Sequence, residues 1–211
     1  MKALGPDPVE EIVSLAGRDV RVLRPRDGEA LLSEEAFEHE EFLPYWAELW
    51  PSARVLAAQV AARALRGART LELGCGLGLP SIAAALAGGR VLATDWSPDA
   101  VEAAAHNARH NGVEIEVAVV PWQRPGEIVE RAPWDFVIGA DLLYERRNAG
   151  QLLELLPQLV DERGEVWIAD PGRRAAEEFV AGLDGRWVHR ERRDARYPSL
   201  VVHRLRLTRA R

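Results

Sequence analysis

Residues 71–95 read LELGCGLGLPSIAAALAGGRVLATD, and the order of residue types in this stretch decides the fold. An apolar, strand-like start ends in Glu72, and glycines follow at alternate positions, Gly74, Gly76 and Gly78. Pro80 stands where a helix can open, because the first helical position has no amide hydrogen bond to lose. A second apolar run, Val91-Leu92-Ala93, ends in Asp95. The pattern is a strand, a glycine turn, a helix and a second strand with an acid at its tip. Glycines let the backbone approach a ligand closely and take up positive φ. The acid, 21 residues after Gly74, is placed to accept both hydroxyls of a ribose. A nucleoside-type cofactor is implied.

Outward from this unit, strand and helix signals alternate. Residues 12–15 and 20–23, separated by Ala16-Gly17, predict a hairpin, and residues 29–41 an acidic helix. Leu56, Val60 and Ala64 recur every fourth position in a helix expected over 52–65. A helix over 98–110 should stop at Asn111-Gly112. Strand signals follow at 114–120, 136–138 and 166–169. Between the last two, Leu152, Leu155, Leu156 and Leu159 mark a helical face that Pro157 should bend or shorten. A helix near 174–183 and extended runs at 187–190 and 200–207 complete the chain. Alternation of this kind builds an α/β fold, a mostly parallel sheet with helices on both faces. Residues 1–43 are expected as an N-terminal extension and 44–211 as the main domain.

The 211 residues suit one domain with a small extension. The single cysteine, Cys75, excludes a disulfide framework, suits a reducing compartment and reads as a small filler between glycines. No stretch is apolar enough for a signal peptide or a membrane span, so a cytoplasmic protein without membrane contact is expected, with a monomer as the default. Net charge is −6 and Lys2 is the sole lysine, a balance that argues against nucleic-acid binding. Glu34, Glu35, Glu38, Glu40 and Glu41 form either a solvated helix face or a rim attracting a basic partner. Arg192, Arg193, Arg204, Arg206, Arg209 and Arg211 read as the outer face of edge strands, where charge prevents association.

In such sheets, ligands lie beyond the carboxyl ends of the strands. Trp96 and Trp122 each follow a strand, where a flat apolar ring can stack on adenine. Trp134 and Trp167 are assigned to packing. A dinucleotide fingerprint would need a third glycine where this chain has Leu79. The spacing G-x-G-x-G, with Glu72 two residues before it, resembles motif I of class I S-adenosylmethionine methyltransferases, whose loop packs on the amino-acid part of the cofactor. That resemblance implies a Rossmann-like, seven-stranded sheet closed by an antiparallel strand, and places Glu72 and Gly78 in the cofactor site.

Residues 134–144, WDFVIGADLLY, narrow the likeness. The D-x-x-Y at this strand end, with PYWAELWPSARVLA at 44–57, resembles the seven-strand protein-lysine methyltransferases. The run Ala169-Asp170-Pro171-Gly172-Arg173 is similar, more narrowly, to the enzymes that methylate lysines of the electron-transfer-flavoprotein β subunit. The resemblance implicates Trp50, Gly74, Gly76, Asp95, Trp122 and Ala140 in cofactor binding and sets Asp141 and Tyr144 beside the reacting methyl. An alternative role for Asp141 is to cap the following helix. Leu142 and Leu143 replace the prolines that adenine-N6 and glutamine-amide methyltransferases tend to carry here, which disfavours those acceptors. His106 and His110 share a helix face but lack a third ligand nearby, so no metal is expected. The expected activity is methyl transfer to a protein with an exposed lysine, with the flavoprotein β subunit as candidate. The alternatives are a small-molecule amine of the nicotinamide type, a catalytically silent cofactor-binding module, and, disfavoured by Leu79, a dinucleotide oxidoreductase.

Overall fold

The computed structural model describes residues 3–27 and 44–208; the acidic segment 29–41 lies outside them. β1 (Val9–Leu15) and β2 (Arg18–Arg24) form the expected hairpin, longer at both ends, because charged residues continue the pairing beyond the apolar core. A 3-10 turn (Tyr45–Ala47) leads into α1 (Pro51–Ala61), whose first turn accepts Pro51 without losing a bond. β3 (Arg69–Leu73), α2 (Leu79–Leu86) and β4 (Arg90–Asp95) are the unit read from residues 71–95. α3 (Pro98–His110) has the expected bounds: Ser97 Oγ accepts the Ala100 N–H at 3.4 Å, Asp99 sits in the first turn, and Arg109 and His110 complement the dipole in the last.

β5 (Glu116–Val119) is shorter than expected, and α4 (Gly126–Glu130) was not anticipated. β6 (Phe136–Ala140) is followed by α5 (Arg146–Leu159), which runs straight through Pro157. Pro157 lies in the last turn, so the ring disturbs little helix beyond it, and the buried leucines of that face outweigh one lost backbone bond. β7 (Glu165–Asp170), α6 (Arg174–Ala181), β8 (Trp187–Arg193) and β9 (Val201–Leu207) complete the order.

The main sheet has seven strands in the order β5-β4-β3-β6-β7-β9-β8. β3 to β7 are parallel, and β9 returns antiparallel between β7 and β8. Strand order therefore reverses at β3 and β6, whose carboxyl ends open side by side. Alternation sorts the core into two layers. Phe136, Ile138 and Trp167 face α1 and α2, whereas Leu71, Leu73, Val137 and Ile168 face α5 and α6. Burial on both faces explains why the central strands read as continuous apolar runs. Trp134 and Trp167 are core residues as expected: Trp134 Nε1 donates to Ile128 O at 2.9 Å, and Trp167 meets Phe136 edge-on at 5.0 Å. Arg204 departs from the edge-charge reading. Its guanidinium lies 3.8 Å from the Trp167 ring centre and donates to Gln59.

The hairpin joins this core. Val13, Leu15, Val20 and Val22 are buried in the layer that contains α1 and α2. Among its polar ties, Asn107 of α3 is fully buried: Oδ1 accepts the Leu23 N–H at 2.9 Å, while Nδ2 donates to Leu23 O and Leu77 O at 3.0 Å each. One side chain thus fastens β2 to the loop between β3 and α2. Asn107→Ala would leave three backbone groups unpaired. At roughly 1–3 kcal/mol for each buried group, urea unfolding should show a loss of about 2 kcal/mol or more. Asn107→Asp should not recover it, because a carboxylate cannot donate to the two carbonyls.

Candidate functional site

The three motif glycines form the floor of a cleft at the strand tips. Gly78 is the most constrained: its φ is +82°, and a Cβ there would lie 2.9 Å from Ala104 Cβ and 3.0 Å from Ala104 Cα. Any side chain would push the loop off α3. Gly74, with φ +63°, lies beneath Leu142, and Gly76, with φ +48°, beneath the backbone of Trp46. Residues 44–50 therefore pass over the glycine loop.

Two acids fix that loop. Asp95 accepts the Gly76 N–H through Oδ2 and the Ser97 N–H through Oδ1, both at 3.0 Å. It is only 5% exposed. Burial raises its pKa, partly offset by these amides. Glu72 is buried beneath the start of α2 and accepts from Ser81 Oγ. Loss of solvent drives its pKa up to about 8, although the Ser81 bonds pull the other way. Burial also pushes the Cys75 thiol up, consistent with a filler and not a nucleophile.

At the end of β6, Leu142 and Leu143 turn into the core, and Asp141 and Tyr144 line the cleft. Asp141 has φ +57°, the left-handed region, which Asp tolerates better than most residues. Its Oδ1 accepts from Arg173 Nη1, and its Oδ2 is buried with no hydrogen-bond partner among the described residues. The helix-cap role does not hold: the N-cap position of α5 is Glu145, and no side-chain bond caps it. Tyr144 packs on Tyr45 with ring centres 5.7 Å apart, and Tyr45 meets Trp50 at 6.3 Å. Trp50 Nε1 donates to Tyr45 O at 2.8 Å, which locks this aromatic wall. Burial, then the neighbouring Glu145 charge, raises the Tyr144 pKa.

All eleven residues singled out in the sequence line one cleft of about 490 Å³: Trp50, Glu72, Gly74, Gly76, Gly78, Asp95, Trp96, Trp122, Ala140, Asp141 and Tyr144. Arg173 lies in the strand-end segment 169–173, to which the sequence assigns no site role. It lines the cleft, pairs with Asp141 and lies 3.4 Å from Asp170. Asp170 is itself buried and accepts the Gly172 and Arg173 N–H groups at 2.7 Å. Only the juxtaposition of the β6 and β7 ends brings Arg173 to Asp141.

Strand order, glycine cradle and acid-tipped second strand together define the class I S-adenosylmethionine methyltransferase fold. The chain belongs to the lysine methyltransferase family, whose model matches residues 41–184. It is 35% identical over 135 residues to the electron transfer flavoprotein beta subunit lysine methyltransferase of Xenopus laevis, covering 62% of this chain and 53% of that protein. It is 41% identical over 96 residues to a ribosomal protein L11 methyltransferase of Pseudomonas aeruginosa, covering 45% of this chain and 30% of that protein. Among solved structures, the putative methyltransferase SMU.776, complexed with SAH, superposes with a TM-score of 0.67 at 11% identity, over 96% of this chain and 57% of that one. The chain spans about half the length of the curated flavoprotein-methyltransferase relatives it matches.

The raised pKa of Glu72 has a consequence for stability. The folded protein holds this proton more tightly than the unfolded chain, so stability declines as pH rises from the ordinary value of 4.5 to about 8 and then levels. Glu72→Gln keeps an oxygen to accept from Ser81 and does not titrate. Its melting temperature relative to the parent should rise across that window, with little difference at low pH. A difference independent of pH would mean that Glu72 is ionised in the fold throughout.

Proposed function

We propose that this protein transfers a methyl group from S-adenosylmethionine to the side-chain amine of a protein lysine. The observation that carries the reading is the unpartnered Oδ2 of Asp141, buried in a cleft beside an aromatic wall. A buried carboxylate oxygen without a donor is costly, and an amine N–H is a donor of the right kind.

The cofactor fits the residues present. The glycine loop lines the cleft, and the space a Cβ would need at Gly78, Gly74 and Gly76 is taken up by Ala104, Leu142 and Trp46, so packing holds the loop in shape as a bed for the amino-acid part. Asp95 accepts backbone N–H groups on both carboxylate oxygens and retains lone-pair capacity for a ribose. Trp96 and Trp122 line the same cleft as flat surfaces for adenine. When bound, S-adenosylmethionine supplies a methyl group already activated by its sulfonium.

The chain's own task is then to present a neutral amine and exclude water. A lysine amine has a free pKa of about 10.4, and a lone carboxylate beside it would raise that further. Arg173 counters part of this effect: its guanidinium neutralises Asp141, so the carboxylate can orient the amine without strongly favouring the ammonium. The same ion pair engages Oδ1 and leaves Oδ2 as the unpartnered acceptor. Tyr144, Tyr45 and Trp50 provide apolar faces for the aliphatic stem, and the Tyr144 hydroxyl holds the nitrogen near the methyl. The family likeness supports the flavoprotein β subunit as first candidate acceptor.

Asp141→Asn and Tyr144→Phe should retain affinity for S-adenosylhomocysteine, measured by calorimetry, and lose turnover by ~10²-fold or more, as when a positioning contact is removed. Equal turnover in parent and variants would return both residues to a structural role. Turnover of a lysine should climb as pH approaches the amine pKa, whereas a pyridine nitrogen would give a flat profile. Labelled cofactor incubated with a lysate should mark protein lysines found by mass spectrometry; label confined to small molecules would overturn the lysine assignment.

A further inference from the structure

The β8–β9 hairpin at the sheet margin carries three side chains with metal-ligand chemistry on one face, none of them among the residues that line the cleft. Glu191 and His203 are directly opposed across the two strands, and His189 stands two residues before Glu191. His189 Nε2 and His203 Nδ1 face each other at 3.0 Å, and Glu191 Oε1 lies 4.0 Å from the same His203 nitrogen. One donor atom from each of the three falls within 4.8 Å of the others. We propose that His189, Glu191 and His203 form a site for a divalent transition ion of the zinc type, which staples the marginal strand β8 to β9.

The chemistry suits that ion. Imidazole nitrogen with one carboxylate is a donor set that zinc accepts, at bond lengths of about 2.0–2.2 Å. Two nitrogens on one tetrahedral zinc would stand about 3.3 Å apart on those lengths, so a small rotation of His189 opens the gap. His203 is buried and held in place, whereas Glu191 is 42% exposed and can swing onto an ion entering from solvent. Its present companion is Arg193 at 3.5 Å, a rim contact that is readily released. Three protein ligands leave a fourth position for water, an open site instead of a closed structural one, and the three still span both strands. The site has one deficiency. Metal on Nδ1 puts the proton on His203 Nε2, which is buried without a hydrogen-bond partner among the described residues. Missing outer partners commonly weaken metal binding by about 10–100-fold, so micromolar affinity is expected, not the tighter binding of a complete site.

The test uses the untagged full-length chain, stripped with chelator and dialysed against zinc chloride, with cobalt chloride as spectroscopic probe. One equivalent of zinc per chain, a visible cobalt absorption of four-coordinate type, and a rise in melting temperature with added zinc are expected, because an ion that binds only the folded state stabilises it. His189→Ala and Glu191→Gln change half-buried or exposed groups, so they should fold and weaken zinc affinity by about 100-fold or more, beyond the effect of a lost outer partner. His106→Ala, on α3, should leave uptake unchanged. Absence of stoichiometric uptake at micromolar free zinc would overturn the proposal. So would uptake unaffected by His189→Ala, or uptake lost with His106→Ala, which would move the ion to the His106–His110 pair.

Discussion

The carboxylate of Asp95 accepts two backbone N–H groups, from Gly76 in one strand-tip loop and from Ser97 in the next. Everything at the cleft depends on this bridge. The Gly76 amide sits in a left-handed stretch that has no regular ladder to join, so an acceptor must come from outside the loop. Neighbouring bonds repeat the tie: the Cys75 N–H reaches Thr94 O at 2.9 Å, and Thr94 Oγ1 donates to Glu72 O at 2.7 Å. The loop after β3 is therefore held in shape by β4 before any ligand arrives. Such pre-organisation removes an ordering cost from binding.

The same loop sets the position of its neighbours. Gly78 admits α3 against the loop, Gly74 admits Leu142 from the end of β6, and Gly76 admits the backbone at Trp46. Three segments distant in sequence meet there because three positions lack a Cβ. The buried face of Leu142 then turns Asp141 towards the cleft, and Arg173 from the end of β7 closes on it. Order at the acceptor side is in this sense inherited from packing on the cofactor side.

This explains what the sequence could and could not disclose. Residues 71–95 were legible because their chemistry is local: glycine for left-handed backbone, proline for a helix start, an acid at a strand end. α3 was legible to the residue, since Ser97, Pro98 and Asn111 mark its ends. The D-x-x-Y pair was legible as a position, but the ion pair that defines Asp141 was not, because Arg173 arrives through the side-by-side alignment of β6 and β7. β8 was read as ending near residue 190, yet pairing carries it to Arg193 along a face of charged residues that has no apolar pattern to detect. Pro157 misled for a related reason: a rule about helix interiors applies weakly in a final turn held by buried leucines.

The tryptophans divide by location in a way that gives the molecule its own optical reporter. Of the seven, Trp46, Trp50, Trp96 and Trp122 line the cleft, Trp134 and Trp167 are sealed in the two core layers, and Trp187 is half-buried at the start of β8. Indole emission responds to the polarity and stacking of its surroundings. A purine settling among the first group would change their light, and the core pair would supply a constant background. Occupancy of the cleft is thereby written into the intrinsic fluorescence of the unmodified chain.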